Sequence, residues 1–124
     1  MRIRISWPSG EAFATLQDTD TARRLLAALP ISSRASTWGE EVYFETEMEA
    51  VLDAEARQVA DPGAVCFWVA GRSLALPFGP TPVSQGDECH LVTEVNVLGA
   101  LEGDARVLAT VQGGDAIEVE LAPD

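Results

Sequence analysis

The stretch FWVAGRSLALPFGPTP, residues 67–82, decides the fold of this chain. It contains two apolar runs on either side of Gly71-Arg72, and each run places large apolar side chains at every second position, as in a buried β-hairpin. The second run leads into Phe78–Pro82, here called the Pro80 corner. Two prolines and a glycine make this corner stiff, because proline has a fixed φ and no backbone N–H for a ladder. The stretch therefore predicts a hairpin that ends in a rigid loop, with a hydrophobic cleft beside it.

Shorter alternating segments on both sides of this hairpin predict further strands. They occupy residues 3–7, 11–16, 42–47, 91–98 and 117–121. One segment has helical spacing instead: Ala22, Leu25, Leu26 and Leu29 form a single apolar stripe, which predicts an α-helix over about residues 20–29 that ends at Pro30. Residues 106–111 are compatible with a short helix or a strand, and the acid-rich residues 47–62 with the end of a strand followed by a turn or a short helix. Residues 31–37 are small and polar and lead to a turn at Trp38-Gly39.

Length and composition place the chain among soluble single domains, here residues 1–124. The chain has 20 acidic and 8 basic residues, which gives a formal net charge of −12. A surface this negative repels nucleic acid and anionic lipid, so neither is expected as a partner. No apolar run is long enough to span a bilayer, so we expect a cytoplasmic protein. Cys66 and Cys89 are expected to be reduced, and no set of side chains is spaced for a metal or suggests a cofactor.

Several segments, taken in order, resemble the small prokaryotic cyclophilin-like proteins. They are WGEEVYF at 38–44, the Pro80 corner, and VNVLG at 95–99 followed by Gly103-Asp104. The helix at 20–29 is similar to the first cyclophilin helix, which precedes the same strands. The resemblance implies a mostly all-β fold: a closed cyclophilin-like barrel of about eight short strands, with the one clear helix, one or two helical turns, and a groove on one outer face.

The resemblance also bears on catalysis. Cyclophilins isomerise X-Pro bonds in this groove and use an arginine in a Phe-His-Arg strand motif. The matching strand here is Tyr43-Phe44-Glu45-Thr46, with a carboxylate at the position of the guanidinium. The donors that could replace it are Arg34, Arg72 and His90, although each is also compatible with a solvent-exposed or loop position.

Ten residues are candidates for contact with a ligand: Trp38, Tyr43, Phe67, Trp68, Phe78, Pro80, Thr81, Pro82, His90 and Asn96. Phe67 and Phe78 alternate toward the interior and are also compatible with core positions. Trp68 and Tyr43 point to the opposite faces of their strands, toward a groove or an interface. Asn96 interrupts an apolar strand, either as a bulge residue or as a polar group in the groove. The acids from Glu40 to Glu55 are expected to form a solvated face.

We therefore expect a binding module for a small molecule or a proline-containing peptide, without isomerase turnover. A weak peptidyl-prolyl cis-trans isomerase is the first alternative. The second is an interaction protein that assembles through exposed aromatic side chains, for example as a homo-oligomer.

Overall fold

The computed structural model describes residues 1–124 and is mostly β-structure with two helices. Its elements, in chain order, are β1 (Arg2–Trp7), β2 (Gly10–Leu16), α1 (Asp20–Ala28), β3 (Ile31–Arg34), β4 (Ser36–Thr37), β5 (Glu41–Glu45), β6 (Arg57–Ala60), β7 (Ala64–Trp68), β8 (Ser73–Pro77), β9 (Cys89–Leu101), the 3₁₀-helix Ala105–Thr110 and β10 (Ala116–Ala122). No helix is long and apolar enough to cross a membrane.

All the strand pairs are antiparallel and belong to one strongly curved sheet. The strand order is β3-β10-β1-β2-β9-β7-β8-β5-β4, and β6 pairs with β9 outside this path. The prediction of a closed barrel with about eight strands is wrong on both counts, because there are ten strands and β3 does not pair with β4. The chain at Ala35 bonds instead to the β10 side, through Asp115 and Gly114. The Ser33 hydroxyl of β3 donates to the Glu45 carbonyl of β5 over 2.7 Å.

The concave face of the sheet holds the main core, as the alternation of the strands predicts. Ile3, Ile5, Phe67, Leu74 and Leu76 are fully buried within a cluster of 23 residues. Helix α1 covers one opening of the sheet through its apolar stripe. It begins at the predicted position, where the Thr19 hydroxyl accepts a hydrogen bond from the Ala22 N–H, as expected of an N-cap.

The convex face carries a second and smaller cluster that the sequence did not predict. Strand β6 and the first half of β9, Cys89–Val95, pair with each other and lie over the outer side of β7 and β8. We call this pair of segments the outer ribbon. Its contacts with the sheet use small or medium apolar residues, namely Ala60, Ala64, Cys66, Ala75, Leu91 and Val95. Because the outer ribbon covers only part of the convex face, side chains beside it remain accessible.

Three strands lie where no strand was predicted. β3 and β4 occupy the polar segment before Trp38, and β6 lies within the ambiguous residues 47–62, which contain a loop and this strand but no helix. These strands have one or more neighbours missing and expose most of their side chains, so they show no apolar alternation. The segment at 106–111 is helical, and β9 extends beyond the predicted 91–98 at both ends.

Candidate functional site

A cleft of about 150 Å³ lies on the convex face, at the edge of the outer ribbon. Five residues line it: Trp38, Glu41, Tyr43, Trp68 and Val92. We call it the outer-face cleft. Glu41 and Tyr43 are two positions apart on β5 and so share one face of the strand, and Trp38 precedes this strand. Trp68 is the last residue of β7. Val92 belongs to the outer ribbon, and half of its surface is exposed. Three aromatic rings, one carboxyl group and one aliphatic side chain therefore meet in a small concave surface.

Local backbone features hold the aromatic walls in place. The rings of Tyr43 and Trp68 meet edge to face, with their centroids 6.2 Å apart and their planes at 83°. The Trp68 ring lies directly against the backbone of Gly71, where a Cβ atom would come within 2.3 Å of it. On the other side, the Trp38 N–H donates to the Glu41 carbonyl over 3.0 Å and closes the turn before β5. These walls are therefore built by the strands and their turns.

Glu41 is the unusual residue of the cleft. It is only 6% exposed, and its Oε1 atom has no hydrogen-bond partner. Burial raises the pKa of Glu41 to about 7, and no neighbouring cation or hydrogen bond offsets this effect. A buried carboxyl group that is close to half-ionised at neutral pH is more common at functional sites than elsewhere. The adjacent Glu40 differs, since it accepts a hydrogen bond from Arg106 Nη1 over 2.7 Å.

Trp68 contributes the second unpartnered group. Its indole Nε1 is buried and donates no hydrogen bond, whereas the indole of the core residue Trp7 donates to the Thr110 hydroxyl over 2.9 Å. Glu41 Oε1 and Trp68 Nε1 are the two buried side-chain nitrogen or oxygen atoms without a partner in the chain, and both belong to residues of the outer-face cleft. Because nearly all buried polar groups in proteins are paired, this coincidence singles out the cleft.

The Pro80 corner, by contrast, is packed against its neighbours. Gly39, at a φ of +60°, lies so close that a Cβ atom there would be 2.8 Å from the Thr81 Cα. Thr81 is buried, donates its N–H to the Ser84 hydroxyl oxygen over 2.9 Å, and donates its own hydroxyl to the His90 carbonyl. The expectation of a hydrophobic cleft at this corner is wrong, because the turn at Gly39 fills the space. Pro80 is half-buried and Pro82 is exposed.

The other candidate residues lie elsewhere. Phe67 and Phe78 belong to the main core and are 0% and 8% exposed. His90 is half-buried on β9, with its Nδ1 atom 3.6 Å from Glu88 Oε2. The structure therefore brings Trp38, Tyr43 and Trp68 together in the cleft. Phe67, Phe78 and His90 lie outside it.

Asn96 has a structural role at the base of α1. Its side-chain amide donates to the Thr21 hydroxyl over 3.0 Å and to the Val51 carbonyl over 2.9 Å. Its carbonyl oxygen accepts the Asp53 N–H over 2.9 Å. The bulge in the β7–β9 ladder lies between Val65 and Cys66, beyond Asn96. Asn96 therefore ties the 46–56 loop and the helix to β9, and both of its amide hydrogens are already used.

No guanidinium group lines the outer-face cleft. Arg34 is exposed and donates to the Gly114 carbonyl, and Arg72 is exposed in the β7–β8 turn, 3.9 Å from Glu49. Glu45, which the resemblance places at the position of the cyclophilin arginine, is exposed as well. The cleft thus offers aromatic surface and one carboxyl group. Cys66 and Cys89 are free and buried, and no group of three or more acidic, histidine or cysteine side chains is arranged to hold a metal ion.

Two residues of the cleft, Val92 and Glu41, were not among the predicted candidates. Glu41 is the more important one, and it was expected among the solvated acids. The signal that could have found it is the strand period of two. Glu41 has the same parity as Tyr43, which was expected to face outward toward a groove. An acid at that register position shares the aromatic face, whereas the neighbouring Glu40 does not.

Comparisons with known proteins identify the family to which this β-rich fold belongs. The sequence profile of the Cyclophilin-like family matches residues 1–120, so the chain belongs to this family. The solution structure of a hypothetical protein from Archaeoglobus fulgidus is similar to it, with 33% sequence identity and a TM-score of 0.84 over 98% of this chain and 95% of that chain. A comparison with curated proteins gives no match.

Proposed function

We propose that this protein is a binding module whose receptor site is the outer-face cleft, and that it does not turn over prolyl bonds. The observation that carries the proposal is the presence of two unpartnered buried polar atoms, Glu41 Oε1 and Trp68 Nε1, in residues that line one aromatic cleft. Leaving a buried donor or acceptor unpaired costs about 1–3 kcal/mol for each group. A ligand that interacts with either of these groups offsets part of that cost on binding, so the two groups favour a binding site over a packed surface.

The size of the cleft limits what it can hold. Its volume of about 150 Å³ is below the range of roughly 300–1,000 Å³ that is usual for drug-sized ligands. The cleft therefore fits a compact chemical group, either a very small molecule or one side chain of an extended peptide.

The lining residues argue against isomerase activity. Isomerisation of a prolyl bond needs an apolar seat for the ring and a donor that stabilises the twisted amide in the transition state. The seat is present, but the guanidinium of the cyclophilins has no counterpart among the lining residues. The test is a standard isomerase assay on a chromogenic peptide with one X-Pro bond, in which we expect no acceleration over buffer. Acceleration that is lost in Trp68→Ala would contradict the receptor proposal and support the isomerase.

Binding itself is tested by two-dimensional NMR of the indole N–H groups. The probes are four small compounds that differ in charge: phenol, benzoate, benzylamine and choline. We expect at least one of them to shift the indole signals of Trp38 and Trp68 and to leave the Trp7 signal unchanged, because Trp7 is in the core. If none shifts the cleft indoles, or if all three indoles shift alike, the cleft is not a receptor site.

A further inference from the structure

We infer that the outer-face cleft selects a small, fully methylated ammonium group, such as that of choline or of a trimethylated lysine side chain. This inference rests on the proposed function and names the class of ligand for the same site. It is carried by the combination of the three aromatic walls, the unpaired carboxyl group and the absence of any basic residue from the lining.

The aromatic walls are the first part of the argument. Trp38, Tyr43 and Trp68 line one small volume, and the rings of Tyr43 and Trp68 are nearly perpendicular to each other. The face of an aromatic ring is negative and attracts cations, by about 0.5–1 kcal/mol at exposed sites and about 2 kcal/mol or more where the cation is desolvated. A compact cation in this cleft therefore lies next to three aromatic side chains.

The carboxyl group is the second part. Glu41 is buried beside the rings and has no cation or hydrogen-bond donor of the chain at Oε1. Its charge, when ionised, acts through space on a cation in the cleft, because solvent screens an interaction between buried groups only weakly. The net charge of −12 adds a long-range attraction for cations and disfavours anionic ligands.

The scarcity of acceptors distinguishes a methylated ammonium group from a primary one. The cleft offers the Glu41 carboxyl group and the Tyr43 hydroxyl, and the remaining lining is aromatic or aliphatic. A primary ammonium group has three N–H donors that lose water on entry, and an unpaired buried donor is costly. A fully methylated ammonium group has no donor to satisfy. It keeps its charge and also presents methyl groups to the rings.

Binding of such a cation should depend on pH through Glu41. The titratable groups that face Glu41 are the Tyr43 phenol on β5 and the thiols of Cys66 on β7 and Cys89 on β9, while Pro77 lies opposite on β8. Burial raises the pKa of Cys66 to about 12 and raises that of Cys89, so both thiols stay neutral. Glu41 is then the group beside the cleft that loses its charge as the pH falls through 7.

The test compares choline with 3,3-dimethylbutanol, its uncharged carbon isostere, by NMR titration of the Trp38 and Trp68 indoles. At about pH 8 we expect choline to bind roughly tenfold more tightly, which corresponds to about 1.4 kcal/mol. The preference should decrease several-fold at about pH 6 and should be largely lost in Glu41→Gln at both pH values. His90→Gln, which replaces the single histidine of the chain outside the cleft, serves as the control and should behave as the wild type.

The outcomes separate this inference from the proposal beneath it. Equal binding of choline and its isostere, or a preference that survives in Glu41→Gln, overturns the cation selectivity and leaves the receptor site intact. If phenol or benzoate binds and choline does not, the cation selectivity is likewise overturned and the receptor site remains. If no compound shifts the cleft indoles, both proposals fail. A parallel titration with a short peptide that contains one trimethyllysine distinguishes the two sources, because tighter binding of the peptide than of choline identifies a side-chain ligand.

Discussion

The Pro80 corner and the outer-face cleft are both built around aromatic and polar residues, but they treat their polar groups in opposite ways. At the corner, the Thr81 hydroxyl and N–H both have partners within the chain. In the cleft, Glu41 and Trp68 each keep a buried polar atom unpaired. A stiff proline loop next to an aromatic residue is therefore a poor guide to a binding site in this protein, and unsatisfied polar groups are the better one.

Glu40 and Glu41 show the same contrast between adjacent residues. Glu40 is paired with Arg106 on one side of the strand, and Glu41 is unpaired beneath the aromatic rings on the other. Glu40 immediately precedes β5 and Glu41 begins it, and the alternation of successive side chains turns the two carboxyl groups away from each other. They provide a matched pair for testing whether the environment of the cleft is as unfavourable to charge as we infer.

The largest expected effect is on the corner side of the comparison. Phe78→Ala removes a core ring and should reduce the free energy of unfolding by about 3–5 kcal/mol. Val83→Ala, an exposed change just beyond the corner, should alter it by less than about 0.5 kcal/mol. Urea unfolding measures both. A small effect of Phe78→Ala would mean that this ring faces an open cleft and would restore the corner as a candidate site.

The next effect is a gain of stability on the cleft side. The pKa of Glu41 is raised from 4.5 to about 7 on folding. Between pH 4.5 and about 7, Glu41 is therefore protonated in the folded chain and ionised in the unfolded chain. Stability is therefore reduced as the pH rises through this window. Glu41→Gln removes the ionisation and should stabilise the protein by about 2–3 kcal/mol at about pH 8, with little effect below about pH 4.5.

Glu40→Gln is the matched control for that measurement, since it removes an exposed carboxylate that is paired with Arg106. It should change stability by less than about 1 kcal/mol, because surface ion pairs contribute little. Denaturant unfolding of both variants at about pH 8 and about pH 4.5 measures these changes in stability. A loss of stability in Glu41→Gln at about pH 8 would show that the ionised carboxylate has partners.

A smaller effect tests how fully the corner is satisfied. Thr81→Val keeps the shape of the side chain but removes the hydroxyl that donates to the His90 carbonyl. The variant should lose about 1–2 kcal/mol of stability, the usual cost of removing a buried hydrogen bond. Thermal unfolding by circular dichroism would detect it. An unchanged or raised melting temperature would contradict the tight hydrogen bonding that we assign to this corner.

The smallest expected effect is the change in stability when an indole N–H group is removed, compared between Trp68 and Trp7. Trp68→Phe removes an N–H that has no partner, whereas Trp7→Phe removes one that donates to Thr110. We expect a change of less than about 1 kcal/mol for Trp68→Phe and a loss of about 1–2 kcal/mol for Trp7→Phe. Equal losses in urea unfolding would indicate that the Trp68 N–H is satisfied in solution, and the cleft would lose one of its two unpaired groups.

The sequence was informative where strands are buried on one face. The alternation at 64–69 and 73–78 predicts the central hairpin and the inward position of Phe67, and it also predicts that Trp68 and Tyr43 face outward. The cap and stripe of α1 predict the helix within one residue at its C-terminal end. These predictions hold because apolar burial on one side leaves a clear period in the sequence.

Other features depended on contacts that have no local pattern. β6 pairs only with β9 and exposes Arg57, Gln58 and Val59, so its sequence does not differ from that of a loop. The open strand order, which ends at β3 on one side and at β4 on the other, depends on which strands pair over long distances in the sequence, and no single segment encodes that. The burial of Glu41 depends on the outer ribbon, and the acids around it conceal its register.

The pKa of Glu41 tests the central claim most directly, and it can be measured by following its side-chain carboxyl carbon by NMR across the pH range, with Glu40 in the same spectra as a reference. We predict a midpoint of about 7 for Glu41. A midpoint in the usual range of glutamate, about 4–5, would show that the carboxyl group is hydrated or paired. In that case the outer-face cleft would be an ordinary patch of surface, and the proposals built on it would be contradicted.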